Sequence, residues 1–145
     1  MHMKLLSLKE LEMFDYVKTR ERVEEYIGDL NMIRFKYRNV LPPSLALKLF
    51  DIKVQSSGNL KSPFEAYIEK KDEYEREYAE KLNEIYAILE DLSLYEKRFF
   101  KDHFIHGVKI KQFEKIFRCG PDMVEHIKHS SVIKFALALD IAVYK

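Results

Sequence analysis

Hydrophobic residues recur along this chain at steps of three and four, with polar residues between them. Val23, Tyr26, Ile27, Leu30, Ile33, Tyr37 and Val40 fall on one face of a helix predicted over residues 20–40. A preceding helical stretch, 8–18, either continues into it or breaks near Thr19, and Pro42-Pro43 ends it. Tyr74, Tyr78, Leu82, Ile85, Leu89 and Leu92 make a heptad-like stripe that predicts a long helix over 63–92. Between the two lies a loop, 41–61, with some apolar content (Leu45, Leu47, Leu49, Phe50, Ile52, Val54) and a polar tip, Gln55-Ser56-Ser57-Gly58-Asn59. A narrow apolar stripe on a long helix needs a partner. The second helix carries a matching stripe, which favours an antiparallel intrachain pair over pairing with another subunit.

Three capping boxes mark helix starts: Ser7-Leu8-Lys9-Glu10, Ser62-Pro63-Phe64-Glu65 and Ser93-Leu94-Tyr95-Glu96. In each, the Ser hydroxyl accepts from the N–H three residues on, and the Glu reaches back to the Ser N–H. Beyond Ser93 the rhythm shortens. Residues 94–105 carry Leu94, Phe99, Phe100, Phe104 and Ile105 and stop at Gly107; residues 110–118 carry Ile110, Phe113, Ile116 and Phe117. A last helix begins at Pro121, and its end, Val132 to Val143, is apolar nearly all round. Such a segment is either the central element of its module or a subunit interface.

The expected fold is therefore all-α: an N-terminal antiparallel hairpin of long helices, residues 1–92, and a C-terminal module of short helices, residues 93–145. Only 4 Gly and 4 Pro in 145 residues leave few turns, which agrees with long helices rather than many strands. No apolar run reaches the roughly 18 residues of a membrane span, and no signal peptide is read before the first helix. The single cysteine, Cys119, excludes an internal disulfide and fits a cytoplasmic setting.

Charge divides along the chain. Residues 63–92 hold 10 acidic side chains against 4 basic, whereas residues 93–145 hold 10 basic against 6 acidic. The last segment also carries four of the 5 histidines, and it is the one best suited to a polyanion. Its sequence fits a helix-turn-helix, in which two short helices share a small apolar core so that the second enters the major groove. In a window opening at Ile110, the fourth, eighth, tenth, fifteenth and eighteenth positions should be apolar; they are Phe113, Phe117, Cys119, Val124 and Ile127. The fifth position, usually small, is Glu114. The ninth, usually Gly for its positive φ, is Arg118, and Gly120 two residues later is the candidate to supply the turn.

On this reading Asp122, Met123, Glu125, His126, Lys128 and His129 lie on the outer face of a recognition helix. Lys109, Lys111, Lys115, Arg118 and Lys128 are candidate phosphate contacts. The alternative for each charge is an ordinary solvated face.

The order of elements resembles the ArpU/RinA-type regulators of Gram-positive phages and prophages over about residues 19–145. The resemblance is carried by the N-terminal helix pair, the Ser-Ser-Gly-Asn linker, the Ser62-Pro63-Phe64-Glu65 helix start and the long charged helix. A C-terminal module similar to region 4 of sigma factors follows, ending in Ser131-Val132-Ile133-Lys134-Phe135-Ala136. It implies a DNA-binding regulator, an activator of late phage genes, acting in the cytoplasm on double-stranded promoter or operator DNA. Host RNA polymerase and self-association are further expected partnerships, and no cofactor is implied.

Two other readings compete. A phage-encoded interaction protein could use the same helices, the acidic long one included, to bind a host protein without reading DNA. His103 with His106 and His126 with His129 are spaced i, i+3, with Cys119 between the pairs, and such ligand types suit zinc. An enzyme is not expected, because no phosphate loop, GxSxG or HExxH sequence is present.

Overall fold

A computed structural model describes residues 4–40 and 63–145. The loop 41–61 and the Ser62 capping box lie outside the described residues. The helices are α1 (Leu8–Glu12), α2 (Tyr16–Arg38), α3 (Pro63–Leu89), α4 (Leu94–Phe100), α5 (Phe113–Phe117) and α6 (Pro121–Ala138). A π turn, Lys101–Ile105, extends α4, and a 3-10 turn, Ile110–Gln112, leads into α5. The described residues hold no strand, only a single antiparallel bridge between Phe14 and Tyr144. The chain is all-α, as its periodicity predicts.

Local hydrogen bonding accounts for the starts. Ser7 and Glu10 exchange side-chain and backbone bonds at 3.1 Å each, and Ser93 and Glu96 do the same at 3.0 and 3.4 Å. Pro121 opens α6 at its first position, where a missing N–H costs nothing. Gly107 takes φ +73° just past the π turn, the left-handed conformation that ends a helix most cheaply in Gly.

Two boundaries differ from expectation. The N-terminal break falls at Met13–Asp15, not at Thr19, because Asp15 is the effective cap: its Oδ1 accepts from the Lys18 N–H at 3.1 Å. Thr19 sits inside α2, fully buried, and its hydroxyl serves the C-terminal segment instead. Thr19 Oγ1 accepts from Val143 N at 3.0 Å and donates to Val143 O at 3.4 Å. The long acidic helix ends at Leu89, not 92, since Ser93 must be extended to cap α4 and the chain turns through Glu90–Leu92 to reach it.

The chain divides into two compact units, Met1–Gly28 with Asn83–Lys145, and Asp29–Leu82. This grouping runs differently from the segments 1–92 and 93–145, because both long helices contribute a part to each unit. In the smaller unit Leu30 is buried, Lys36 lies over the Tyr74 ring at 6.0 Å, and Lys71 lies over Tyr37 at 5.6 Å. These contacts join the end of α2 to the start of α3.

The larger unit is built around α6. Every residue from Ser130 to Ala136 is buried, so the first part of the apolar segment noted in the sequence is the central element of its unit, whereas Leu137 and Ala138 beyond it are exposed. Helix α4 packs along it, and the Phe100 ring stacks on Phe135 at 4.2 Å. Val23, Ile27, Ile85, Leu89 and Leu92 complete this interior. Two charges lie within it. Glu96 is fully buried and Lys134 is 7% exposed, and their Oε1 and Nζ are 2.8 Å apart. Ser130 Oγ donates to Glu96 Oε2 at 2.6 Å, and Lys134 also donates to the Lys4 carbonyl.

Removing one member of a buried, hydrogen-bonded pair strands the other charge and costs about 3–5 kcal/mol. Lys134→Met should therefore lose about that much stability in chemical denaturation. Glu96→Gln combined with Lys134→Met should lose clearly less than the single Lys134 change. Additive losses would refute the coupling.

Candidate nucleic-acid interface

Helices α4, α5 and α6 meet in a small apolar core. Phe99, Phe113, Val124 and Ile127 are buried at its centre, with Leu5, Phe104, Val108, Ile116, Phe117 and Cys119 packed around them. Phe113 touches Phe99 and Phe117 at ring-centroid distances of 4.8 and 5.3 Å. All five apolar positions singled out in the sequence, Phe113, Phe117, Cys119, Val124 and Ile127, share this one cluster.

The turn between α5 and α6 is made by Arg118. Its φ and ψ are +53° and +50°, and its N–H and that of Cys119 both donate to the Glu114 carbonyl. The expectation that Gly120 supplies the turn is thus corrected. Gly120 has φ −80°, precedes Pro121 as the cap of α6, and leaves open space where a Cβ would stand. A non-Gly residue held left-handed costs roughly 1–2 kcal/mol, which the surrounding core must offset.

The candidate side chains divide into two groups. Lys109, Lys111, Lys115 and Arg118 are exposed on the 3-10 turn, α5 and the turn after it, and Asp122, Met123 and Glu125 are exposed on the first turns of α6. Asp122 has a local reason to be there, since a carboxylate in the first turn complements the helix dipole.

The other three were expected on the outer face and are not free there. His126 Nε2 donates to the Leu6 carbonyl at 2.6 Å. The Lys128 side chain is only 14% exposed, bonds Glu125 Oε2 at 3.1 Å and lies over the Tyr16 ring at 5.7 Å. His129 stacks on Tyr16 at 3.7 Å and bonds Glu125 Oε1 at 3.0 Å. The covering groups, Leu6 and Tyr16, come from more than 110 residues away in the chain. No local pattern around 121–129 announces them.

The segment Lys4–Leu6 is held by a single stripe of α6. His126 takes Leu6 O, Ser130 Oγ accepts from Leu6 N at 2.8 Å, and Lys134 takes Lys4 O. These α6 residues are spaced by four, about 6 Å along a helix, which matches the rise of two extended residues.

Burial and neighbouring charges together set the ionisation here. It pushes the Glu125 carboxyl up, but the hydrogen bond and charge of Lys128 and the charge of His129 outweigh it and hold the group below the usual carboxylate range. Burial depresses the His129 imidazole below its ordinary value, against the pull of Glu125. Burial also raises the Tyr16 phenol well above its usual range. Of the other histidines, His103 Nδ1 donates to Val108 O at 2.8 Å with its ring on Phe99, and His106 is exposed. Among the described residues no three His, Cys, Asp or Glu side chains converge as a metal site would need.

No helix among the described residues is long and apolar enough to cross a membrane. Comparison of the chain with known protein families, with characterised proteins and with solved structures finds no match.

Two outcomes test this geometry. Arg118→Gly relieves the left-handed residue and should hold or raise stability by up to about 1 kcal/mol, whereas Arg118→Val should lose about 1–2 kcal/mol. Equal effects in thermal melts would contradict the turn. His129 is favoured neutral in the folded state, so acidification protonates the unfolded chain first and stability falls as pH drops from about 7 towards 5. His129→Phe keeps the stack on Tyr16 and should flatten that fall, read as denaturation midpoints at both pH values.

Proposed function

We propose that this protein is a DNA-binding transcriptional regulator, with α4 to α6 as a helix-turn-helix module and α2 with α3 as an antiparallel helical hairpin. The observation that carries the reading is the convergence of Phe113, Phe117, Cys119, Val124 and Ile127 in one core, closed by a left-handed residue at Arg118, the ninth position of the window. That combination is what holds a second helix at a fixed angle to the first. Lys109, Lys111, Lys115 and Arg118 are exposed beside it and are the phosphate contacts of this reading. The resemblance to ArpU/RinA-type regulators makes the regulated genes late phage or prophage genes.

A second reading has its own support. Two positions that would face bases, His126 and His129, are engaged by Leu6 and Tyr16, and the exposed Asp122 and Glu125 repel phosphates. That favours an interaction module that binds a host protein and does not read DNA.

Each phosphate contact should contribute about −0.9 to the slope of log affinity against log salt. Binding to the DNA upstream of the late genes of its own phage, followed by fluorescence anisotropy, should weaken with salt. Lys111→Glu with Lys115→Glu should weaken it further and lessen the slope, with the fold unchanged. Lys70→Glu with Lys71→Glu, on acidic α3, should change it little. A folded protein without salt-dependent binding would leave the interaction module as the better reading.

A further inference from the structure

Helices α4 and α5 leave a groove of about 680 Å³ between them, lined by Leu94, Tyr95, Ile116 and Phe117 with Lys97, Arg98, Lys101 and Arg118 around them. Its floor is apolar and open to water: Leu94 is 67% and Tyr95 55% exposed, and Tyr95 meets Phe117 edge to face at 5.2 Å. Leu94 and Tyr95 line one groove with Ile116 and Phe117, so the exposed apolar surface here is contiguous rather than a lone side chain.

The charges around the groove are unbalanced. Asp102 is the one carboxylate lining it, 3.6 Å from Arg98, and Glu90 engages Lys97 at 2.7 Å from outside. Lys101 and Arg118 are exposed; Lys101 lies over the Tyr86 ring at 5.8 Å, and neither forms an ion pair among the described residues. We infer that this groove docks an acidic amphipathic helix of a partner protein, its apolar residues on Leu94, Tyr95, Ile116 and Phe117 and its carboxylates against Lys101 and Arg118. The charge complementarity selects an acidic partner, and the aliphatic share of the floor selects apolar side chains over stacked bases. The groove lies on the α4–α5 side of the module, away from the α6 residues that hold Lys4–Leu6. Docking here does not require DNA reading; Arg118 is the one residue common to both surfaces, so DNA and an acidic helix compete for it.

The test uses the full chain and a labelled peptide of about five helical turns, with Leu at three- and four-residue steps and Glu elsewhere. A matched peptide with Lys for Glu and a single-stranded oligonucleotide serve as comparisons. The Glu peptide should bind saturably and shift backbone amide resonances of residues 94–102 and 116–118. Leu94→Asp and Lys101→Glu, both at exposed positions, should each weaken it about tenfold with unchanged circular dichroism. Failure of the Glu peptide to bind, shifts elsewhere, equal binding of the Lys peptide, or preferential binding of the oligonucleotide at these residues would each overturn the proposal.

Discussion

The larger unit depends on one buried carboxylate. Glu96 begins as a capping residue, taking the Ser93 N–H at the start of α4. The same Oε1 accepts from Lys134, and Oε2 accepts from Ser130, both on α6. Through those partners the network reaches Lys4 and Leu6. Two charges out of water cost several kcal/mol each, and only a geometry that satisfies their hydrogen bonds offsets this. A shift of α6 by one residue along α4 would break the set at once. The apolar rings, Phe100 on Phe135 and Phe99 on Phe113, supply most of the burial but tolerate small slides. The ion pair and its hydrogen bonds disfavour such slides, because each would leave a buried charge without its partner.

That network also determines which surface of α6 is left for function. Ser130 and Lys134 lie on the stripe that includes His126, so the polar groups that stabilise the interior also tether the extended N-terminal residues over the helix. Tyr16, from the start of α2, covers the neighbouring strip through His129 and Lys128. Among the surfaces that stay open are the first turns of α6, the basic 3-10 turn and α5, and the groove between α4 and α5. These surfaces differ in character. The open start of α6 is acidic, with Asp122 and an ionised Glu125, whereas the α5 side and the groove are basic. Any polyanion or acidic partner is drawn to the latter two.

Much of the chain was legible because its determinants are local. Helix position follows from steps of three and four, and Ser7, Ser93 and Pro121 start helices through bonds or constraints that span no more than three residues. The shared cluster of Phe113, Phe117, Cys119, Val124 and Ile127 was legible for the same reason, since spacing alone puts these side chains on the facing sides of α5 and the first turns of α6 and in the turn between them. Local chemistry misled where a residue had two uses. Thr19 reads as a helix breaker but is a buried clamp on Val143, and Gly120 reads as the turn residue but leaves that conformation to Arg118.

By itself, then, the amino-acid sequence determined an all-α protein, the starts of α1, α4 and α6, and the apolar residues that pack α4, α5 and α6 together. Only the tertiary structure decided which charged and polar residues would be buried. Glu96 and Lys134 are 38 residues apart, and His126 and Leu6 are 120 apart. Periodicity within a segment carries no information about a partner at such separation. A helix pattern states which face is apolar, but not that a distant extended segment will lie across its polar face. That covering depends on the closure of long loops around α6, a property of the whole folded unit and of no window within it.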